Sequence, residues 1–410
     1  MNKYEYLPMQ EYCLNVTDGT HATPKEVQYG YPLVTSKNLN NGRLDLNNTY
    51  LISESDYNEI NIRSKVDKND VLISMIGTVG LVCFVDRQPD FAIKNVGLLK
   101  NKDEFHGKWL YYYLSSPEGQ YSIQERLRGT TQQYIPLNEI RKLPVKVLFS
   151  TDDMKKIVNF LSYLDDKIEL NAQINHNLEE QAKAIFKSWF VDATESNTWD
   201  SVPLKELVTT MRNGDWGKDT PCGNNTEVAY CIRGADIPDV NAGNKGKMPI
   251  RYILPKNYEK KHLVEGDIVV EISGGSPTQS TGRCAVISQA LLDRYEQKIV
   301  CTNFCKALKP LDGYSHFLYY YWTYLYEKGC FFAYENGTTG IKNLDITGII
   351  ENEFLQLPPI EIIEKFNELC DKIASTIFAN GTETERLAQL RDTLLPKLMS
   401  GELDVSEVRV

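Results

Sequence analysis

Arg126 and Arg128 stand just ahead of Thr130, Thr131, Gln132, Gln133 and Tyr134, so cations, hydroxyls, carboxamides and a phenol crowd into one short polar stretch. That mixture suits a polyanion with readable edges. Guanidinium groups neutralise phosphates, hydroxyls bond the phosphate backbone, and a glutamine carboxamide donates and accepts at once, as the edge of adenine in a major groove requires. A related set comes later, where Thr338 and Thr339 stand near Lys342 and Asn343. The plainer reading is that Gly-Thr-Thr, at 129–131 and again at 337–339, is a turn whose hydroxyls cap local backbone. Both copies keep Gly-Thr-Thr and differ after it, so the threonines are expected to position backbone and the divergent residues to read bases. Arg43, Arg63, Lys94, Arg233, Lys245, Lys247, Gln279 and Arg283 are lesser candidates for the same polyanion, each more readily an ordinary solvated charge or polar residue.

These loops sit inside a repeat. Leu110-Tyr111-Tyr112-Tyr113 returns as Leu318-Tyr319-Tyr320-Tyr321 with the same displacement of 208 positions that relates the two Gly-Thr-Thr turns. Lys68-Asn69-Asp70-Val71 resembles Glu265-Gly266-Asp267-Ile268, Leu143-Pro144 resembles Leu357-Pro358, and Asp166-Lys167-Ile168 resembles Asp371-Lys372-Ile373. Solenoid repeats run to roughly 20–50 residues, so this period marks a tandem of whole domains, each with its own connector.

Each domain reads as mixed α/β with short strands. In the first, 71–75 and 81–85 are apolar runs on either side of Gly77-Thr78-Val79-Gly80, the pattern of a hairpin. Lys108 to Leu114 has the density of a buried helix, which Tyr121 to Arg128 is expected to continue. The second domain repeats the plan, with Gly274-Gly275-Ser276 read as a surface turn. The tyrosine triplets offer rings for stacking on bases, but their place in an apolar helix favours core packing.

From Asp152 the period changes. Ile157, Leu161, Leu164 and Ile168, then Ile174, Leu178, Ala182, Ile185 and Trp189, recur at helical spacing. Neither proline nor glycine interrupts 152–192, so a helix of about 40 residues and roughly 60 Å is predicted there, with Thr151 or Asp152 as its cap. A similar seam, Ile363, Phe366, Cys370, Ile373 and Ile377, is predicted to break at Asn380-Gly381, resume at Leu387 and end near Pro396 to Gly401. The expected fold class is therefore α+β: two pseudo-repeated α/β domains, 1–150 and 197–358, separated by helical connectors, 151–196 and 359–410, that pair antiparallel as a coiled-coil-like rod. Phe186, Trp189 and Phe190 are expected to cluster with Leu395, Leu398 and Met399 near the domain junction, as core or as a docking surface for a partner.

Composition narrows the function. The net charge is −10, and residues 152–192 and 359–410 carry seven of those charges, which leaves the rest of the chain nearly balanced. Alone, such a chain would bind a polyanion weakly, because phosphate neutralisation supplies most non-specific affinity; help from a partner is implied. Nine cysteines without a C-x-x-C pair and five scattered histidines argue for reduced thiols in a cytoplasmic protein and against a zinc site. Cys301 and Cys305 read as core. The start, Met1-Asn2-Lys3-Tyr4-Glu5-Tyr6, is not basic-then-apolar, and no apolar stretch approaches the length of a membrane span, so neither secretion nor membrane insertion is expected. The phosphate-loop, dinucleotide, nucleophile-elbow and zinc-protease patterns do not occur. Pro238-Asp239 with Glu259 and Lys261 is a loose nuclease-like scatter in a charged stretch. The sequence thus reads as non-catalytic, with a pure protein scaffold and a self-sufficient nuclease or methyltransferase as the alternatives.

The connectors carry a specific likeness. Leu164-Asp165-Asp166-Lys167-Ile168-Glu169-Leu170-Asn171, Ala184-Ile185-Phe186-Lys187-Ser188-Trp189-Phe190-Val191-Asp192, and Leu394-Leu395-Pro396-Lys397-Leu398-Met399-Ser400-Gly401-Glu402-Leu403-Asp404-Val405 resemble the conserved regions of the specificity subunit of type I restriction-modification systems. The likeness covers essentially the whole chain, strongly in the connectors and weakly in the domains. It implies that 1–150 and 197–358 are target recognition domains, each reading half of an asymmetric, interrupted site in double-stranded DNA. It further implies that the helices set the gap and dock two methyltransferase subunits, and that motor-nuclease subunits join them. S-adenosylmethionine, ATP and Mg²⁺ would then belong to those partners.

Overall fold

Val71-Leu72-Ile73-Ser74 is a β-rich run with no charged residue, and it forms a strand buried on both faces. The turn that follows is tied down by Ser74, whose hydroxyl accepts from the Leu81 amide at 2.8 Å and donates to the Thr78 carbonyl at 2.6 Å. The computed structural model describes residues 4–40, 42–46, 49–194, 198–276, 279–337, 342–403 and 405. The chain divides into two compact units, Met1–Asp166 with Ala388–Val410, and Lys167–Leu387.

In the first unit the Val71–Ser74 strand lies in a four-stranded antiparallel sheet, in the order Asn15–Asp18, Val96–Lys100, Val71–Ser74, Val82–Phe84. A three-stranded sheet places Tyr31–Val34 between antiparallel Tyr50–Ile52 and parallel Ala92–Ile93. Tyr4–Pro8 pairs with Pro144–Leu148. The second unit has the same three sheets. Val208–Asn213, Cys305–Pro310, Ile268–Glu271 and Cys284–Val286 form the four-stranded one. Glu227–Ile232 lies between antiparallel Ile250–Ile253 and parallel Ile299–Cys301, and Asp200–Pro203 pairs with Phe354–Leu357. The duplication read from sequence is thus a duplication of topology.

The aromatic helices, Glu104–Ser115 and Ser315–Glu327, bury Trp109 and Trp322 completely. Their tyrosines belong to the core. In the first unit the Tyr112 hydroxyl donates to Asp165 at 2.8 Å, and Arg391 meets the same carboxylate at 2.7 Å. In the second, Tyr319 and Tyr320 donate to Glu179 at 3.2 and 3.1 Å. The first aromatic helix does not continue as predicted through 121–128. Ser116 ends it and caps a separate Pro117–Gln124 helix, accepting from the Gly119 amide at 3.2 Å with Pro117 in the first turn.

The first long helix runs over Thr151–Phe186 and closes in a π turn at Lys187–Val191. Its first turn is capped by Ser150, not Thr151 or Asp152, through an Asp153 amide bond of 3.1 Å. The second, Ile360–Ser400, passes unbroken through Asn380-Gly381, contrary to the predicted interruption. Gly381 serves close approach: a Cβ there would overlap the carbonyl of Gly243, whose loop crosses the helix at that point. Asn380 is held by a bond from its Nδ2 to Asn175 Oδ1 at 2.8 Å. Pro396 lies inside the helix, where burial of Leu395, Leu398 and Met399 outweighs the lost amide. Within each unit the helix segments pair antiparallel. Asp165 meets Arg391 in the first unit, and in the second Asn171 donates to Glu383 at 2.8 Å while Asn175 donates to the Ile377 carbonyl at 3.0 Å.

Candidate nucleic-acid interface

Arg128 and Tyr134 form a two-bond bridge, Arg128 N to Tyr134 O at 2.8 Å and Tyr134 N to Arg128 O at 2.9 Å, so the five residues between them are pinched into a tight loop. Gly129 makes the pinch possible with φ of +84°, and its Cβ would strike the Gln132 carbonyl. The loop is then stitched to the hairpin, because the Ile135 amide donates to the Met75 carbonyl at 2.9 Å and Ile76 bridges Tyr134. Ile135 is fully buried, while Arg128 to Tyr134 are exposed throughout.

The second unit repeats the stitch. The Leu344 amide donates to the Ile272 carbonyl at 2.9 Å, and Asn336 pairs with Asn343 where Arg128 paired with Tyr134. Here the hairpin insert joins in: Ser273–Gly274 pairs with Lys342–Leu344, which pairs with Glu335–Asn336. Glu335 organises the join, accepting from the Thr281 amide at 2.6 Å and pairing with Lys342 at 2.6 Å. That lysine holds the Glu335 carboxyl below the usual glutamate range against the opposing cost of burial. Thr338 and Thr339 lie outside the described residues.

Several candidate cations are already engaged by partners within their own unit. Arg63 donates to Asp18 at 2.5 Å and to the Gly19 carbonyl at 3.1 Å. Arg233 grips Asp236 at 2.9 and 3.0 Å and the Lys247 carbonyl at 2.7 Å. Arg283 forks onto Glu271 at 2.8 and 2.7 Å. Arg126 closes its own helix end on the Ser122 carbonyl at 2.7 Å. Lys94 reaches Thr23 at 2.5 Å, and Lys245 lies over the Tyr295 ring at 4.6 Å. Gln279 bonds Tyr326 at 3.3 Å, and Arg43 is exposed on the Arg43–Leu44 strand beside Cys83. Lys247 is exposed. Arg128 reaches Glu139 only at 3.5 Å, and among the described residues the side chains of Thr130, Thr131, Gln132 and Gln133 meet no hydrogen-bond partner. Among the described residues, one loop presents Arg128, Thr130, Thr131, Gln132, Gln133 and Tyr134 outward, and the other Asn343, whose Oδ1 accepts from the Ser273 hydroxyl at 2.5 Å.

The expected single apolar cluster is instead two. Leu395, Leu398 and Met399 belong to the core of the first unit and Phe186 and Phe190 to that of the second, while Trp189 packs at the edge of the latter against Phe190 and Phe366. The reason is the pairing direction, which carries the end of one helix back to the start of the other. Phe186 and Phe190 are buried against Phe317 and Phe366, whereas Trp189 keeps 38% of its surface exposed. The nuclease-like scatter is also structural: Lys261 donates to the Gly214 carbonyl at 2.9 Å and Glu259 pairs with Lys298 at 2.9 Å. Burial pushes the Cys305 thiol up to about 12, which keeps it protonated beside Cys301. Sequence reading missed the contribution of the hairpin turn to each stitched loop; its only local signal was glycine at Gly77 and Gly274-Gly275.

The family model for the type I restriction modification DNA specificity domain matches residues 19–180 and 196–391. The chain is 25% identical over 357 residues to the type I restriction enzyme MjaIX specificity subunit of Methanocaldococcus jannaschii, covering 83% of this chain and 79% of that one. It is 26% identical to the HindI specificity subunit of Haemophilus influenzae, covering 87% and 92%. The crystal structure of a type I restriction-modification system S subunit from M. genitalium shares the fold, with a TM-score of 0.53 at 17% identity over 96% of both chains. The chain, with its duplicated domains and long paired helices, belongs to the specificity-subunit family of type I restriction-modification systems.

Proposed function

We propose that this chain confers DNA sequence specificity on a type I restriction-modification complex. Each recognition domain reads one half of a bipartite, asymmetric site in double-stranded DNA. The helices set the gap between half-sites and dock two methyltransferase subunits. Motor-nuclease subunits join through that complex. Methylation and cleavage belong to those partners, as do S-adenosylmethionine, ATP and Mg²⁺.

The observation that carries this reading is the pair of stitched loops. Their backbone anchors, Ile135 to Met75 and Leu344 to Ile272, are the same to within hydrogen-bond geometry, while the residues that follow Gly-Thr-Thr differ in sequence. Equal scaffolds with unequal tips are what two different half-sites require. Half-sites about one helical turn apart let two modules approach one face of the duplex. The net charge of −10 means that the partners supply much of the phosphate clamp.

Nuclease footprinting of the complex with its methyltransferase tests this. Two protected tracts separated by an accessible gap, absent when this subunit is omitted, are expected. An assembled complex that protects no DNA would favour a protein scaffold, the reading that the acidity otherwise suits.

A further inference from the structure

A second pair of duplicated segments, outside the stitched loops, is built in the same way. Residues 20–29 and 215–226 each leave the first strand of the four-stranded sheet and are exposed for most of their length. Each begins at a glycine pressed on the neighbouring parallel strand: a Cβ on Gly19 would overlap the Ile93 carbonyl, and one on Gly214 the Thr302 carbonyl. The next amide is fastened identically, Thr20 N to Ile93 O at 3.0 Å and Asp215 N to Cys301 O at 2.7 Å. A cation from the end of a helix then locks the glycine carbonyl, Arg63 onto Gly19 at 3.1 Å and Lys261 onto Gly214 at 2.9 Å. Each segment finally bridges the edge strand of the three-stranded sheet, Val27 to Leu51 and Lys218 to Tyr252.

The roots are alike and the tips are not. In the first unit the tip carries Lys25, Gln28 and Tyr29, the last 83% exposed. In the second it carries Trp216, Lys218 and Asn224, with Trp216 stacked on the Arg251 guanidinium at 4.1 Å and Arg251 paired to Asp219. Exposed segments of this length that lack regular structure yet are fixed at the root at four points lose little entropy on binding. A lysine, a carboxamide and an aromatic ring are the groups that meet phosphate, base edge and sugar.

We propose that residues 20–29 and 215–226 are a second DNA-contacting arm in each recognition domain, so that each half-site is read by two segments, one stitched to the hairpin and one rooted at Gly19 or Gly214. This rests on the DNA-reading function proposed above. The two readings fail separately.

The test uses the complex of this chain with its methyltransferase and long-read mapping of methylated bases. Tyr29→Ala with Gln28→Ala relaxes one half of the motif, and Asn224→Ala with Lys218→Ala the other, each with about tenfold loss of discrimination at one or more base pairs and no change in the opposite half. Cys222, the exposed cysteine of the second arm, gives an independent readout. Its alkylation in the assembled complex is expected to slow about tenfold on adding the target duplex, for a contact that excludes the reagent. A wild-type motif retained by both double variants, with Cys222 alkylated equally fast with and without DNA, overturns the arms and leaves the parent reading intact. A wild-type complex that methylates nothing overturns the parent reading and the arms with it.

Discussion

Asn175 Nδ2 donates to the Ile377 carbonyl at 3.0 Å, a bond from a side chain that is 3% exposed to a helix carbonyl that has no other use for its second lone pair. The same amide also donates to the Ala242 carbonyl at 3.0 Å and accepts from Asn380 at 2.8 Å. One side chain thereby fastens two helices and a crossing loop. Asn175→Ala removes one buried and two half-buried hydrogen bonds, and a loss of about 2–3 kcal/mol of stability is expected. Urea unfolding measures this; a variant within about 0.5 kcal/mol of the parent contradicts the fastening role.

Glu179 is predicted to make stability depend on pH. Burial against Tyr319 and Tyr320 raises its carboxyl above the ordinary glutamate range, with Lys183 and the two hydroxyls opposing. A raised carboxyl favours the folded state while protonated, so its contribution is complete in acid and is lost as pH rises through the folded value. Glu179→Gln therefore raises the melting temperature at pH 8 by a few degrees, and the gain shrinks as pH falls toward 4. A gain that is constant or grows in acid rules this out.

Gln132 and Gln133 are predicted to carry information and no stability. Gln132→Ala with Gln133→Ala leaves the melting temperature within about 1 °C, because surface changes without partners stay near zero. The same pair loosens one half of the recognised motif by about 1–3 kcal/mol per lost bidentate contact. A motif unchanged in both halves would return these residues to the role of solvated loop.

Trp189 separates docking from folding, since its neighbours Phe186 and Phe190 are core and it is not. Trp189→Ala is expected to weaken co-purification of the methyltransferase at least tenfold while costing the isolated chain under about 1 kcal/mol. Phe190→Ala destabilises the second unit by about 3 kcal/mol or more. Undiminished complex with Trp189→Ala on gel filtration contradicts a docking role.

The repeat, both long helices and the hairpins were legible because they depend on local pattern: four identical residues at 110–113 and 318–321, and apolar positions at helical spacing. What escaped depends on tertiary approach. Gly381 reads as a helix breaker until the Gly243 loop is seen to need its missing Cβ. Arg63, Arg233 and Arg283 read as unpaired cations because the carboxylates that pair with them, Asp18, Asp236 and Glu271, carry no sequence mark of burial. The arms at 20–29 and 215–226 were hidden because their tips share almost no residues, and only their backbone anchors reveal the equivalence.

Long-read mapping of modified bases, in cells carrying this gene with the methyltransferase subunit proposed to partner it and in a control lacking this gene, tests the central claim most directly. The expected result is a methylated bipartite motif, two short specified tracts around an unspecified gap, that disappears in the control. Both proteins expressed and assembled with no methylation that depends on this chain would contradict it.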